Sequence, residues 1–237
     1  MQEIKEAVIS LIIYFAVCAS TALVGHIFIK VPNEVFRKIL HGILLGSLII
    51  WTDRFPTWQS AAIAAIVFAL AVYPFLFLAE HIKGYSEFVT ERKQGELKSS
   101  LLIVFFMYAV VVTICWGWLD DKLLALASIY AWGFGDAAAA LVGKQFGKHK
   151  IGGKIDYIAK KSYEGTTAMF TLSFFCVLSV LVSRGGLSVG GLVITSLLVA
   201  LVSAVVELVT PNGLDTITCP LAAMTVLLPM VHLFGGI

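Results

Sequence analysis

Two carboxylates interrupt apolar runs where a charge is costly. Asp136 lies in WGFGDAAAALVGKQFGKHKI, residues 132–151, and Glu207 lies in SAVVELVTPNGLD, residues 203–215. A charged side chain at the centre of a bilayer costs about 2.5–3.5 kcal/mol even on lenient scales, so such residues face a cavity or a partner. Two readings follow for Asp136. It is either a salt-bridged residue in a tight helix contact or a ligand for a hard cation such as Mg²⁺ (or Mn²⁺), which takes carboxylate and phosphate oxygens. Gly133, Gly135 and the following alanines remove bulk around it, and Gly143 and Gly147 are spaced GxxxG. Glu207 needs a partner for the same reason.

Phosphate chemistry is suggested next door. The eighteen residues 144–161 hold six lysines, among them Lys148, Lys150, Lys154, Lys160 and Lys161. They form either a solvated loop on anionic headgroups or a cradle for a polyphosphate. Lys160, Lys161 and Ser162 precede a helix start, where N–H groups and the dipole favour phosphate. Gly165 permits close approach there, and Glu164 is an ion-pair partner or a second metal ligand. No GxxxxGK[ST] loop is present, which excludes a Walker-type site. Arg37 and His41, four apart in VPNEVFRKILH (residues 31–41), share a helix face with Lys38 beside them. They are either snorkelling interface residues or phosphate ligands. Asp215, after the Pro211-Asn212-Gly213 turn, is a cap for the last helix or another metal ligand.

These residues need elements to hold them, and the composition names the kind. Hydrophobic residues make up 59% of the 237 and charged residues only 14%, against about 25% charged in soluble domains. The expected fold is all-α, a polytopic membrane protein of about eight helices (seven to nine). The spans are expected at roughly 7–29, 36–51, 58–80, 99–118, 123–143, 165–183, 187–209 and 215–234. The second is short and reads as tilted or partly re-entrant, and Pro74 kinks the third. The first is too long and its flank too acidic for a signal peptide, so it reads as a retained span. Cys18, Cys115, Cys176 and Cys219 have no metal-like spacing and read as packed thiols. The chain reads as one catalytic domain, 1–237, with its nucleotide-binding region at about 132–166. No nucleic-acid partner is expected.

Thirteen lysines and arginines fall on odd-numbered connections and four on the N-terminus and even-numbered ones. The positive-inside bias puts the odd connections in the cytoplasm. Asp136, Glu207, the Arg37–His41 group and KKSYEG (residues 160–165) then gather at one cytoplasmic face. A multi-pass protein of a prokaryotic inner membrane is the expected setting.

In this order, RKILH, GDAAAALVGKQFGKHKI, KKSYEGT and ELVTPNGLDT resemble the polyprenol kinase family, over about residues 34–220. That family groups dolichol, phytol and farnesol kinases with the CTP-dependent diacylglycerol kinase, inside the membrane cytidylyltransferase-like superfamily. The resemblance implies transfer of the γ-phosphate of a nucleoside triphosphate, usually CTP, to a lipid hydroxyl. It implies a nucleotide and metal region at Asp136, Gly143, Gly147, Lys160, Lys161, Glu164 and Gly165, extended here to Lys148, Lys150 and Ser162. Arg37, Lys38 and His41 match the early basic motif, and Glu207 and Asp215 the late acidic one. Ser162 stands where Thr is common and keeps the hydroxyl. The implied roles are metal binding at Asp136 with Glu207, Glu164 or Asp215, charge neutralisation by Lys160, Lys161 and Arg37, and acceptance of the hydroxyl proton by a carboxylate.

Two rivals are open at this point. A phosphatidate cytidylyltransferase would attack the α-phosphate, but its late Lys-Arg, Lys-Asp and His-Gly-Gly signature is absent. A proton- or ion-coupled transporter would use Asp136 and Glu207 as carriers, but no repeated halves are found. The lipid acceptor is not readable, and the GxxxG spacing makes a homodimer conceivable.

Overall fold

A computed structural model describes residues 2–79, 81, 96–152, 155–211 and 213–235. Lys83, Arg92, Lys93, Lys154 and Asn212, together with the Lys98 side chain, lie outside the described residues. Eight helices among the described residues are long and apolar enough to cross a membrane, and no strand accompanies them. They are α1 (Gln2–Ile29), α2 (Asn33–Arg54), α3 (Trp58–Ala79), α4 (Glu96–Val112, continued by a π-helical turn Thr113–Trp118), α5 (Lys122–Phe146), α7 (Tyr163–Arg184), α8 (Val189–Val209) and α9 (Asp215–Leu233), with a short α6 (Asp156–Ala159) in the α5–α7 connection.

The all-α expectation holds, and the differences lie at helix ends. The second span is a full 22-residue helix rather than a short or re-entrant segment. Apolar composition stops near Trp51, but nothing there breaks the helix. The backbone ladder runs on through Thr52, Asp53 and Arg54 until Phe55 turns extended. At the other end Phe36 N–H donates to Pro32 O at 3.0 Å, so the helix begins ahead of the apolar run. Likewise α5 continues past residue 143 to Phe146.

The chain divides into two compact units, Met1–Thr113 and Ile114–Ile237. In the first, α1 packs on α2 and α3 on α4. An aromatic cluster ties these pairs together: Trp51 stacks on Phe55 (5.0 Å between centroids) and meets Phe68 and Phe105 edge-on, while Phe15 of α1 stacks on Phe68 at 5.3 Å. Such pairs add about 0.5–1.5 kcal/mol each beyond burial. Arg37, Lys38 and His41 lie in the first turns of α2 in this unit, and Arg37 pairs with Glu34 at 2.6 Å.

In the second unit four helices close a ring, α5 against α7, α7 against α8, α8 against α9, and α9 against α5. α5 is its central member, with every residue from Leu124 to Gly133 buried. Its contact with α7 is close because small groups face each other. A Cβ on Gly165 would lie 3.0 Å from the Ala139 carbonyl oxygen and 3.3 Å from Gly143 Cα. One turn pair further along, Ser173 Oγ donates across the contact to Ala131 O at 2.5 Å. The helices alternate in direction, so one end of this bundle collects the C-termini of α5 and α8 with the N-termini of α7 and α9.

Candidate active site

That end is where the candidate site residues of the second unit gather. Lys161, on the connection after α6, turns inward and meets Glu207 of α8. Its Nζ lies 2.6 Å from Glu207 Oε1, and it also donates to the Glu207 main-chain carbonyl oxygen. Both side chains are largely buried, 17% and 11% exposed. The carbonyl belongs to the last turn of α8, where C=O groups have no partner within the helix. One ammonium therefore neutralises an acid and caps a helix C-terminus, where the dipole favours a cation.

Two more carboxylates join from other helices. Asp136 of α5, half-buried, and Asp215, the first residue of α9, lie within electrostatic reach of Glu207. All three also act on buried Cys219, one turn beyond Asp215. Asp215 does not cap α9 from the N-cap position. Its Oδ1 accepts from Gly213 N–H at 3.1 Å, bracing the turn, and its Oδ2 accepts a long 3.5 Å bond from Trp132 Nε1. Gly213 has φ +93°, a left-handed conformation that favours glycine. The turn is held at its base by Thr210 Oγ1, 3.1 Å from Thr218 Oγ1.

The lysine-rich connection is folded. Lys150 and Ser162 form an antiparallel bridge, with Ile151 N–H donating to Lys161 O and Tyr163 N–H to His149 O, each at 3.0 Å. This bridge fixes Lys161 in its inward position and leaves Lys148, Lys150 and Lys160 exposed. Lys150 Nζ reaches Lys160 O at 3.4 Å.

The start of α7 differs from the expectation of an open phosphate-binding end. Ser162 is its N-cap and accepts from Gly165 N–H at 3.2 Å. Tyr163 N–H is taken by His149 O, and Glu164 turns back over the connection to accept from His149 N–H (3.1 Å) and Nδ1 (2.7 Å). The chain's own groups thus satisfy donors that a phosphate would have used. Ser162 is buried between Gly143, Gly147 and Gly165. Gly147 and Gly165 are accounted for by packing, since a Cβ on Gly147 would meet the Gly143 carbonyl and the capping serine and one on Gly165 would press on α5, whereas Gly143 has room for a Cβ.

The structure therefore brings Asp136, Lys161, Glu207 and Asp215 together, and sets Ser162, Glu164 and the glycines one layer behind as the frame that aims Lys161. His149 and Trp132 were not legible as participants. A lone histidine and a tryptophan in an apolar run carry no spacing signal, and only the folded connection brings His149 to Glu164, fifteen residues away. Cys18, Cys115, Cys176 and Cys219 are free thiols.

Among the described residues no three His, Cys, Asp or Glu side chains are arranged to hold a metal by themselves. Mg²⁺ is usually bound by one or two carboxylates, the rest of its shell coming from water and substrate phosphates. Hard oxygen donors from one or two of Asp136, Glu207 and Asp215 fit that mode.

No protein-family model matches the chain, and no solved structure does. Two curated proteins are similar over most of its length. The chain is 30% identical over 200 residues to the phytol kinase of Synechocystis sp., an alignment covering 81% of this chain and 77% of that one. It is 29% identical over 217 residues to the probable chloroplastic phytol kinase of Triticum aestivum, covering 83% and 67%. With eight apolar helices, a cluster of acids and a lysine at one bundle end, and this likeness along the chain, the protein belongs to the polyprenol and phytol kinase family of lipid alcohol kinases.

Proposed function

We propose that this chain transfers the γ-phosphate of a nucleoside triphosphate, CTP in the first instance, to the hydroxyl of a long-chain lipid alcohol of the phytol class. The observation that carries the reading is the Lys161–Glu207 pair with Asp136 and Asp215 around it, at the lysine-rich end of a membrane helix bundle. A lipid alcohol presents its hydroxyl at the membrane boundary and a nucleotide arrives from water, so their reaction belongs at a helix end. The chain acts as one catalytic domain, with residues 132–166 as the main nucleotide region and that end facing the cytoplasm.

In the reaction the alcohol oxygen forms a bond to the γ-phosphorus while the bond from that phosphorus to the β-bridging oxygen breaks. The alcohol's proton passes to a carboxylate, which we assign to Asp136. Phosphoryl transfer needs mainly positioning and charge neutralisation. Lys161 supplies a buried positive charge to the transferring group, with Lys148, Lys150 and Lys160 steering the triphosphate from solvent. A divalent cation, Mg²⁺ in this assignment, would be held by one or two of Asp136, Glu207 and Asp215 together with phosphate oxygens and water, and would neutralise charge on the phosphates.

The test uses purified protein, Mg²⁺, CTP labelled on the γ-phosphate, and a panel of phytol, farnesol, longer polyprenols and diacylglycerol. The expected result is label in the lipid phase and release of CDP, both lost in Asp136→Asn while helicity and melting are kept. Near-normal turnover in that variant removes Asp136 from the chemistry. Pyrophosphate release without labelled lipid overturns the kinase reading itself.

A further inference from the structure

Many hydroxyls along the second unit follow one pattern. Ser128, Thr171, Ser179, Ser196 and Thr210 each donate to the carbonyl four residues back. That bond is how a hydroxyl is ordinarily satisfied on an apolar helix. Thr195 and Ser203 of α8 depart from it, and Ser203 is the one near the carboxylates. It is fully buried, and among the described residues its Oγ meets no hydrogen-bond partner. A buried hydroxyl left unbonded is costly and calls for an explanation.

The position of Ser203 supplies one. It lies one turn from Glu207 on the same buried face of α8. From α9, Cys219 Sγ approaches Ser203 O at 4.0 Å, and Cys219 feels the charges of Asp136, Glu207 and Asp215. Ser203 therefore borders the carboxylate cluster. Lys161 meets Glu207 from the helix end, whereas Ser203 sits about 6 Å deeper along the axis at 1.5 Å per residue. Along α8 the order is thus buried cation, acid, unbonded hydroxyl. A reaction that joins a nucleotide from water to an alcohol from the bilayer needs that order, with the carboxylate cluster between.

We propose that Ser203 binds the acceptor. Its Oγ–H donates to the hydroxyl oxygen of the lipid alcohol, leaving the alcohol's own proton directed at the carboxylates. This rests on the kinase reading, deepens it, and makes Ser203 a substrate-binding residue.

The experiment compares wild type, Ser203→Ala and Thr195→Ala in the γ-labelled CTP assay, with phytol and farnesol as acceptors and melting followed in parallel. Thr195 is the control, being equally buried and unbonded among the described residues but two turns further from Glu207. Expected for Ser203→Ala is a rise of about tenfold in KM for the alcohol, the worth of one hydrogen bond. KM for CTP should stay within about twofold, and the melting temperature should not fall, because no bond within the protein is removed. Thr195→Ala should leave both KM values unchanged. An unchanged alcohol KM in Ser203→Ala overturns the proposal, as does a loss of activity that merely tracks a lower melting temperature. If wild type labels no alcohol at all, the kinase reading fails and this inference with it.

Discussion

The Lys161–Glu207 pair makes a prediction that separates architecture from chemistry. Its atoms are 2.6 Å apart, and the two side chains are 17% and 11% exposed. Removing one partner of a fully buried pair costs about 3–5 kcal/mol, because the other charge is left uncompensated. Lys161→Met should cost somewhat less, about 2–3 kcal/mol, since the site lies at a helix end that water can reach once the loop relaxes. It also withdraws the donor to the Glu207 carbonyl, so the last turn of α8 should fray. Glu207→Gln should cost about 1 kcal/mol, since Lys161 keeps its bond to that carbonyl and an amide oxygen can still accept. The double variant removes both charges at once. Its destabilisation should fall short of the sum of the singles by about 1.5–2 kcal/mol, within the range for groups in direct contact.

The measurement is reversible unfolding in mixed micelles, followed by helicity, on all four proteins, with phosphate transfer assayed on each. Activity should be lost in both singles and should not return in the double variant, although stability partly does. Raising salt should change the coupling little, because a buried pair is weakly screened. Additivity within about 0.3–0.5 kcal/mol would refute the reasoning, since that is the behaviour of independent sites. A double variant that regained turnover would refute the proposed chemical role.

Two further outcomes test the frame around the site. Gly165→Ala should destabilise by about 1–3 kcal/mol, because its Cβ would press to 3.0 Å from the Ala139 carbonyl; Gly143→Ala meets only ordinary contacts from 3.4 Å and should be neutral or slightly stabilising by helix propensity, so equal melting temperatures for the two would contradict the packing described. At the opposite end of the bundle, Arg184→Met breaks a 2.5 Å pair with Asp121 and should lower the unfolding free energy by about 2–3 kcal/mol while leaving KM for CTP within about twofold, so a selective loss of CTP affinity would show that this end is part of the site.

The apolar runs carried most of the fold in the sequence. Eight spans are legible because about 18 apolar residues in a row have few alternatives. What hydropathy cannot see is where a helix stops, since backbone bonding continues through Thr52, Asp53 and Arg54 as readily as through leucine. Asp136 and Glu207 stood out for the same reason the spans did, as charges in an apolar background. The partner of Glu207 was not legible, because Lys161 is one of six lysines between residues 144 and 161 and lies 46 residues away. Only the Lys150–Ser162 bridge turns Lys161 inward. The glycines of the α5–α7 contact were legible as positions of close approach, but sequence does not say what approaches. A ligand and a neighbouring helix ask the same of a glycine, and here α7 fills the space. Ser203 gave no sign, since a serine in a membrane helix is usually satisfied by its own backbone.

The two buried ion pairs of the second unit show why one end of the bundle suits chemistry and the other does not. At the far end Asp121 serves two masters: its Oδ1 caps α5 through Leu123 and Leu124 N–H, and its Oδ2 takes the Arg184 guanidinium. One acid meets one base, and their donors and acceptors are used in holding helix ends. At the near end one buried ammonium faces Glu207 with two further carboxylates in reach, each from a different helix. Like charges held together in a poorly screened site repel. Helix packing alone gives no reason to keep three of them there, because apolar residues would fill the same volume at no electrostatic cost. A cation arriving with a triphosphate, as proposed above, would give a reason, since it would relieve the repulsion only while substrate is bound. The binding energy released would then be tied to the reacting complex rather than to the fold, which is where a catalyst needs it.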